Sequence, residues 1–282
     1  MAEITAANVA KLREMTGAGL MDCKRALVDT NGEVEAAMDL LRKKGRASAE
    51  KKASRDAKEG VIAQYIQPGA KVGVMVEVNC ETDFVARNES FKAVCDDMAK
   101  KLAGTPNLEA VEADRIASVA KIGENIKVPR FTRYEVAGNG LVAAYIHTGA
   151  KVGVLVEVGA GKEATVASED FKQLVRDITL QIAAGSPTVV SRESVDPAVL
   201  AKEKEIATEQ VKDKPPQAIA KIVEGKLEKF FQTCCLVDQG FVKRASEVSV
   251  KEHLGSVAKQ LGDEIVIRRF VRFQVGEAPA AA

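Results

Sequence analysis

The sequence predicts an α+β fold. It reads as an N-terminal three-helix bundle followed by two related core units of antiparallel sheet plus helices, the second carrying an inserted helical hairpin. Three observations predict it. Apolar residues recur at three- and four-residue spacing over residues 4–45, the period of helices with one buried face. A run of alternating strand-type residues around a Gly turn occurs twice, 80 residues apart, which marks an internal repeat. A segment rich in Lys, Glu, Ala and Ile belongs to the second copy alone.

The bundle comes first, over residues 1–45. Its first helix places Val9, Leu12 and Met15 on one face, its second Leu20, Cys23 and Leu27, its third Val34, Met38 and Leu41. Thr5 is placed to cap the first helix, and Thr16-Gly17-Ala18-Gly19 and Asn31-Gly32 separate the three. With its Gly-containing first loop followed by Leu20-Met21, the pattern resembles a ubiquitin-associated-type bundle. Leu20 and Met21 are either core or a partner surface, and Met is adaptable enough to line the latter. Residues 46–59 hold no large apolar side chain and read as a basic, partly helical linker: a solvated tether or a phosphate contact.

The repeat carries the core. Residues 60–78 read GVIAQYIQPGAKVGVMVEV and residues 140–158 read GLVAAYIHTGAKVGVLVEV, identical at 13 of 19 positions. The match resumes at Phe91-Lys92 against Phe171-Lys172, each opening a helical pattern. It returns a third time at residues 121–136 and 260–275, now offset by 139. Each unit therefore reads hairpin, helix, helix, strand, with helices on one face of the sheet. The first unit spans residues 60–139. The second spans 140–187 and 246–276, and 277–282 form a short tail.

The insertion, residues 188–245, is predicted to be two helical arms over 197–211 and 217–231, broken by Asp213-Lys214-Pro215-Pro216. Ile219, Ile222, Val223, Leu227 and Phe230 form one stripe on the second arm. Such a hairpin serves either a protein contact or a local coiled coil.

A duplicated fold supplies its own control. After the matched hairpin the first copy reads Asn79-Cys80-Glu81-Thr82-Asp83-Phe84-Val85-Ala86, where the second reads Gly159-Ala160-Gly161-Lys162-Glu163-Ala164-Thr165-Val166. The fold tolerates the second version. An Asp-Phe pair on the first is either partly core or an exposed wedge, and the missing aromatic in the second copy favours the wedge. Gly123 and Gly262 sit in a Gly-acid-x-Ile element shared by both copies, which reads as a structural turn. His147 stands beside the second hairpin turn where the first copy has Gln67.

The chemistry of an enzyme is thin. There is no GxxxxGK[ST], GxSxG or HExxH, and only two histidines, His147 and His253. The five cysteines form no CxxC pair, a pattern suited to a reducing cytoplasm; the vicinal Cys234-Cys235 is the one unusual spacing. No cofactor or metal site is expected. The net charge of +1 argues against a strongly basic nucleic-acid face. No apolar run reaches the roughly 18–20 residues of a membrane span, and the start lacks a secretory pattern. A binding protein is the better class.

The strings Ile4-Thr5-Ala6, Leu12-Arg13-Glu14-Met15-Thr16-Gly17-Ala18-Gly19-Leu20-Met21-Asp22-Cys23-Lys24, Glu77-Val78-Asn79-Cys80-Glu81-Thr82-Asp83-Phe84-Val85-Ala86 and Lys121-Ile122-Gly123-Glu124-Asn125-Ile126 closely resemble the elongation factor Ts family. The resemblance covers residues 1 to about 276 and implies a guanine-nucleotide exchange factor for elongation factor Tu, with no covalent chemistry of its own. It further implies that Thr82, Asp83, Phe84 and Val85 dislodge the partner's magnesium ion. Arg13, Leu20, Met21 and Lys24 would grip a helix of its nucleotide domain, Ile122 and Gly123 would lie on the phosphate-loop side, and the unit around His147 would hold its far domain. In some members of the family the helical hairpin mediates dimer contacts, so the resemblance leaves a homodimer through residues 188–245 open. A protein-binding scaffold built on the bundle is the alternative.

Overall fold

A computed structural model of the protein describes residues 4–277; the expected tail, Glu277 apart, lies outside the described residues. Helix α1 (Ala6–Thr16) starts at Thr5, whose hydroxyl accepts from the Asn8 amide, and ends at Gly17 with φ 65°. Helices α2 (Leu20–Asp29) and α3 (Val34–Lys52) complete the bundle around buried Val9, Leu12, Cys23, Ala26, Leu27 and Ala37. Met15, predicted on the buried stripe, is half exposed. Thr16 takes the inward place one residue on, its hydroxyl donating to the Leu12 carbonyl at 2.7 Å and lying 3.8 Å from Cys23 Sγ.

The expected partly helical linker over 46–59 is corrected in its first half only, since residues 53–58 form neither helix nor strand. Helix α3 continues to Lys52, and Gly45 and Ala49 on it are buried. A Cβ on Gly45 would lie 3.6 Å from Ile116 and 3.7 Å from Ala120, so the small residues from Gly45 to Ala49 form a helix–helix seat rather than a tether.

The first core unit comprises β1 (Glu59–Ile66), β2 (Val72–Cys80), α4 (Asp83–Arg87), α5 (Glu89–Gly104), α6 (Glu109–Ile122) and β3 (Lys127–Glu135). Its sheet is antiparallel in the order β1-β2-β3. Val74, Val76 and Val78 meet Phe91, Cys95, Met98 and Leu102 of α5 across a dry core. The second unit repeats the pattern with β4 (Gly140–Ile146), β5 (Val152–Ala160), α7 (Glu163–Ala167) and α8 (Glu169–Gly185). The insertion follows as α9 (Pro197–Glu209) and α10 (Pro216–Cys234), joined through Ala207, Val211 and Val223. Then α11 (Val250–Leu261) and β6 (Ile265–Gln274) close the unit, with β6 paired to β5. The foot of the insertion is not detached: Leu236 and Phe241, expected within it, are buried in the second core.

The two sheets meet through Ile62, Met75, Tyr134, Val142, Leu155 and Phe273. Backbone bonds cross the seam in mirrored pairs. The Ile62 amide donates to the Ala150 carbonyl at 2.7 Å and the Val142 amide to the Ala70 carbonyl at 2.8 Å. This seam brings the second hairpin turn beside the loop that follows β2.

Candidate functional site

The loop after β2 is held from several sides. The Cys80 thiol donates to the Thr82 carbonyl at 3.2 Å. Thr82 caps α4, its hydroxyl accepting from the Val85 amide at 3.4 Å. Within α4, Ala86 is buried and Val85 packs on the first core, while Phe84 points outward and is 81% exposed. Asp83 pairs with Arg87 at 2.9 Å on the same surface. A large aromatic side chain left in water is unusual in a chain with 4% aromatics.

Glu124, just past the end of α6, fixes the loop. One of its oxygens accepts from the Glu81 amide at 2.9 Å and the Thr82 amide at 3.0 Å; the other accepts from the Thr82 hydroxyl at 2.6 Å. Glu81 answers by accepting from the Asn125 amide at 2.6 Å. The second unit keeps the frame without the aromatic. There Asp263 accepts from the Lys162 amide at 2.9 Å, α7 forms over the same five positions, and Ala164 stands where Phe84 does.

Phe84 borders an open cleft of about 650 Å³ whose walls include Asp83, Arg87 and Lys92 from the first unit and Gly149 and Lys151 from the second. Lys151 is ion-paired across the seam to Glu59. Ile122 is half-buried against the first core, and Gly123 ends α6 at φ 86° with its amide donating to the Val119 carbonyl. Gly262 ends α11 in the same left-handed conformation, at φ 60°, as the shared turn reading expects. A Cβ on Gly17 would lie 3.9 Å from Lys121, so the first loop of the bundle sits beside the end of α6. Arg13 and Lys24 are exposed, as are Leu20 at 52% and Met21 at 61%. The bundle loop, the end of α6 and the Phe84 loop thus follow one another along the molecule.

His147 is not brought into that cleft. It is exposed in the β4–β5 turn with Nδ1 2.9 Å from the Tyr145 hydroxyl, and lines a separate cavity of about 360 Å³ with Asp177, Gln181 and Phe241. Sequence reasoning missed Glu124, Lys151 and the exposed Met15. The signal for Glu124 was in view, as the acid of the Gly-acid-x-Ile element shared by both copies.

All five cysteines are free and buried. Burial, reinforced by the Glu124 charge, pushes the Cys80 thiol up to about 12. The Cys234 and Cys235 sulfurs lie 3.6 Å apart, and burial together with that contact raises Cys235 to about 12. Among the described residues no group of three or more His, Cys, Asp or Glu is arranged to hold a metal ion. None of the described helices is long and apolar enough to cross a membrane.

The family model described as Elongation factor TS matches residues 81–277. Elongation factor Ts of Symbiobacterium thermophilum is 46% identical over 285 residues, covering 98% of this chain and 93% of the relative. That of Nostoc punctiforme is 43% identical, with 98% and 94% covered, and that of Nitratidesulfovibrio vulgaris is 40% identical, with 99% and 98% covered. The chain belongs to the elongation factor Ts family. Its role is therefore in translation elongation, and the matched region begins at Glu81, at the head of the Phe84 loop.

Proposed function

We propose that the chain is the guanine-nucleotide exchange factor of elongation factor Tu, acting in the cytoplasm without covalent chemistry. The observation that carries the reading is Phe84: an aromatic ring 81% exposed on a clamped loop, where the duplicate unit folds the same loop around Ala164. A residue that its own fold can spare and that water disfavours is explained by a partner. Phe84 enters the partner's nucleotide domain as a wedge, with Asp83 as its polar contact and Thr82 and Val85 holding the helix that carries both. The wedge displaces the groups that support the magnesium ion bridging GDP to the partner, and the loss of that charge weakens the nucleotide.

Leu20 and Met21, with Arg13 and Lys24 beside them, grip the same nucleotide domain, and Ile122 and Gly123 lie against its phosphate-binding side. The second unit, around His147, holds the far domain. Nucleotide and exchange factor then weaken each other's binding to an equal degree, so GTP entry releases the factor.

Stopped-flow release of a fluorescent GDP from elongation factor Tu tests this. The chain is expected to accelerate release strongly, and Phe84→Ala or the graft Asp83→Glu with Phe84→Ala is expected to abolish most of the acceleration while the complex still forms. Binding without any acceleration by the unaltered chain overturns the reading.

A further inference from the structure

We propose that Glu124 is the positioning residue that holds the Phe84 wedge in its working orientation, an inference that rests on the exchange reading above. The ring has almost no contacts of its own to fix it, being 81% exposed. Helix α4 is five residues long, too short to persist by its own hydrogen bonds. The direction of Phe84 is therefore set by what holds α4: Val85 and Ala86 seat its inner face on the first core, and at residues 81–82 one carboxylate fixes the way into it. Glu124 accepts from the Glu81 amide, the Thr82 amide and the Thr82 hydroxyl at 2.9, 3.0 and 2.6 Å. Bonds to an ionised acceptor are the stronger kind.

The duplicate unit separates this role from folding. Its counterpart Asp263 makes the corresponding bond to the Lys162 amide at 2.9 Å. Gly161 donates instead to the Glu264 carbonyl at 3.1 Å. Position 162 is Lys, so the hydroxyl that Thr82 supplies at the loop entry is missing there, and the hydroxyl beside Asp263 is that of Thr165, inside α7. The two clamps differ in the length of the acid and in where the hydroxyl stands: at the loop entry, ahead of the aromatic, in the first unit, and within the short helix in the second. Because Glu124 follows Gly123 directly, the same turn joins the surface at the end of α6 to the wedge. Seating one seats the other, and the ordering is done before the partner arrives.

The experiment compares Glu124→Ala, Glu124→Gln, Thr82→Val, Thr82→Ser and Asp263→Ala in the full chain. Its readouts are the maximum rate of GDP release, the affinity for nucleotide-free elongation factor Tu, and amide hydrogen exchange at Thr82 and Val85 in the free protein. Glu124→Ala and Thr82→Val are expected to lower the maximum release rate about tenfold or more, the scale of one charge-assisted hydrogen bond lost, and to speed exchange at both amides. Affinity is expected to change less than about threefold, a split that general unfolding does not produce. Thr82→Ser keeps the hydroxyl and is expected to recover most of the rate, while Glu124→Gln, which keeps one acceptor oxygen but loses the charge, is expected to fall between Glu124→Ala and the unaltered chain. Asp263→Ala is expected to leave release unchanged.

Full release by Glu124→Ala, an equal loss in Asp263→Ala, or unchanged amide exchange in Glu124→Ala each overturns the proposal. Failure of the exchange reading shows differently, as an unaltered chain no faster than Phe84→Ala. In that case amide exchange at Thr82 still decides whether Glu124 holds the loop.

Discussion

Arg130 of the first core unit lies over the ring of Phe273 of the second, its guanidinium carbon 4.2 Å from the ring centroid. The same group donates to the Glu77 carboxylate at 2.7 Å and to the Gln274 carbonyl at 3.0 Å. The second unit returns the arrangement. Arg269 lies over Tyr134 at 4.3 Å, and donates to Glu157 at 2.7 Å and to the Glu135 carbonyl at 3.1 Å. Each arginine is anchored to its own sheet and reaches into the other, so the repeat builds its own two-fold seam.

Replacing Arg130 with Met is expected to destabilise the protein strongly. Glu77 is only 2% exposed. It keeps Asn79 and the Gly276 amide on one oxygen but loses its charge partner on the other. A buried charge left without its partner costs about 3–5 kcal/mol. Adding Glu77→Gln to Arg130→Met is expected to restore part of the loss. Urea denaturation of the single and double variants measures both effects.

Gly73 and Gly153 test the seam by volume. A Cβ at Gly73 would lie 2.5 Å from Val142, and one at Gly153 2.6 Å from Ile62. Neither neighbour has free space, since Val142 and Ile62 are buried in the same cluster. Gly73→Ala and Gly153→Ala are each expected to cost about 1–3 kcal/mol by overpacking. Gly69→Ala is a poor control because φ there is 89°. Gly225→Ala, with nothing within 4 Å, is a good one and is expected to be neutral or stabilising.

These residues explain what the sequence made legible. The hairpins, their Gly turns and the helices behind them recur in two copies, so period and repetition agree and the α+β fold follows. The exposed Phe84 ring was legible because one copy has an aromatic there and the other does not. The seam was not, since Arg130 and Arg269 look like ordinary strand-edge charges until their partners 143 and 135 residues away come into place. Residues 46–52 misled because small side chains mean a flexible tether or a close helix crossing, and only the presence of α6 decides between them. Met15 misled because a helical stripe cannot say where its last turn stops being covered.

Burial of weak acids makes stability fall at high pH. The Cys80 and Cys235 thiols are pushed from an ordinary value of 9.0 to about 12, chiefly by burial, and Cys95 is raised further. Burial also lifts the Tyr134 phenol from 10.0 to about 12. Below pH 9 both folded and unfolded chains hold these protons and the contribution is complete. Between 9 and 12 the unfolded chain ionises first and binds fewer protons, so stability declines with rising pH until the folded groups ionise as well. Denaturation series from pH 7 to 11 are expected to show that decline. Native-state thiol titration at pH 8 is expected to be slow for every cysteine and fast once the chain is unfolded; fast native labelling of Cys80 would sink the assignment.

The bundle carries a buried and an exposed set of apolar side chains within one helix pair. Leu12 is fully buried, and Leu12→Ala is expected to cost about 2–5 kcal/mol of stability. Leu20 and Met21 are 52% and 61% exposed, so Leu20→Ser and Met21→Ser are expected to leave stability within about 0.5 kcal/mol. If these two side chains grip elongation factor Tu, each change weakens the complex about tenfold, or ~1.4 kcal/mol, because apolar area that the partner covers is lost. Since the wedge and its Glu124 clamp stay intact, the release rate at saturating factor is expected to hold while the concentration needed for half-maximal release rises. Titration by stopped flow reads both quantities at once, and a fall in the saturating rate without a shift in that concentration would instead tie the bundle to the wedge.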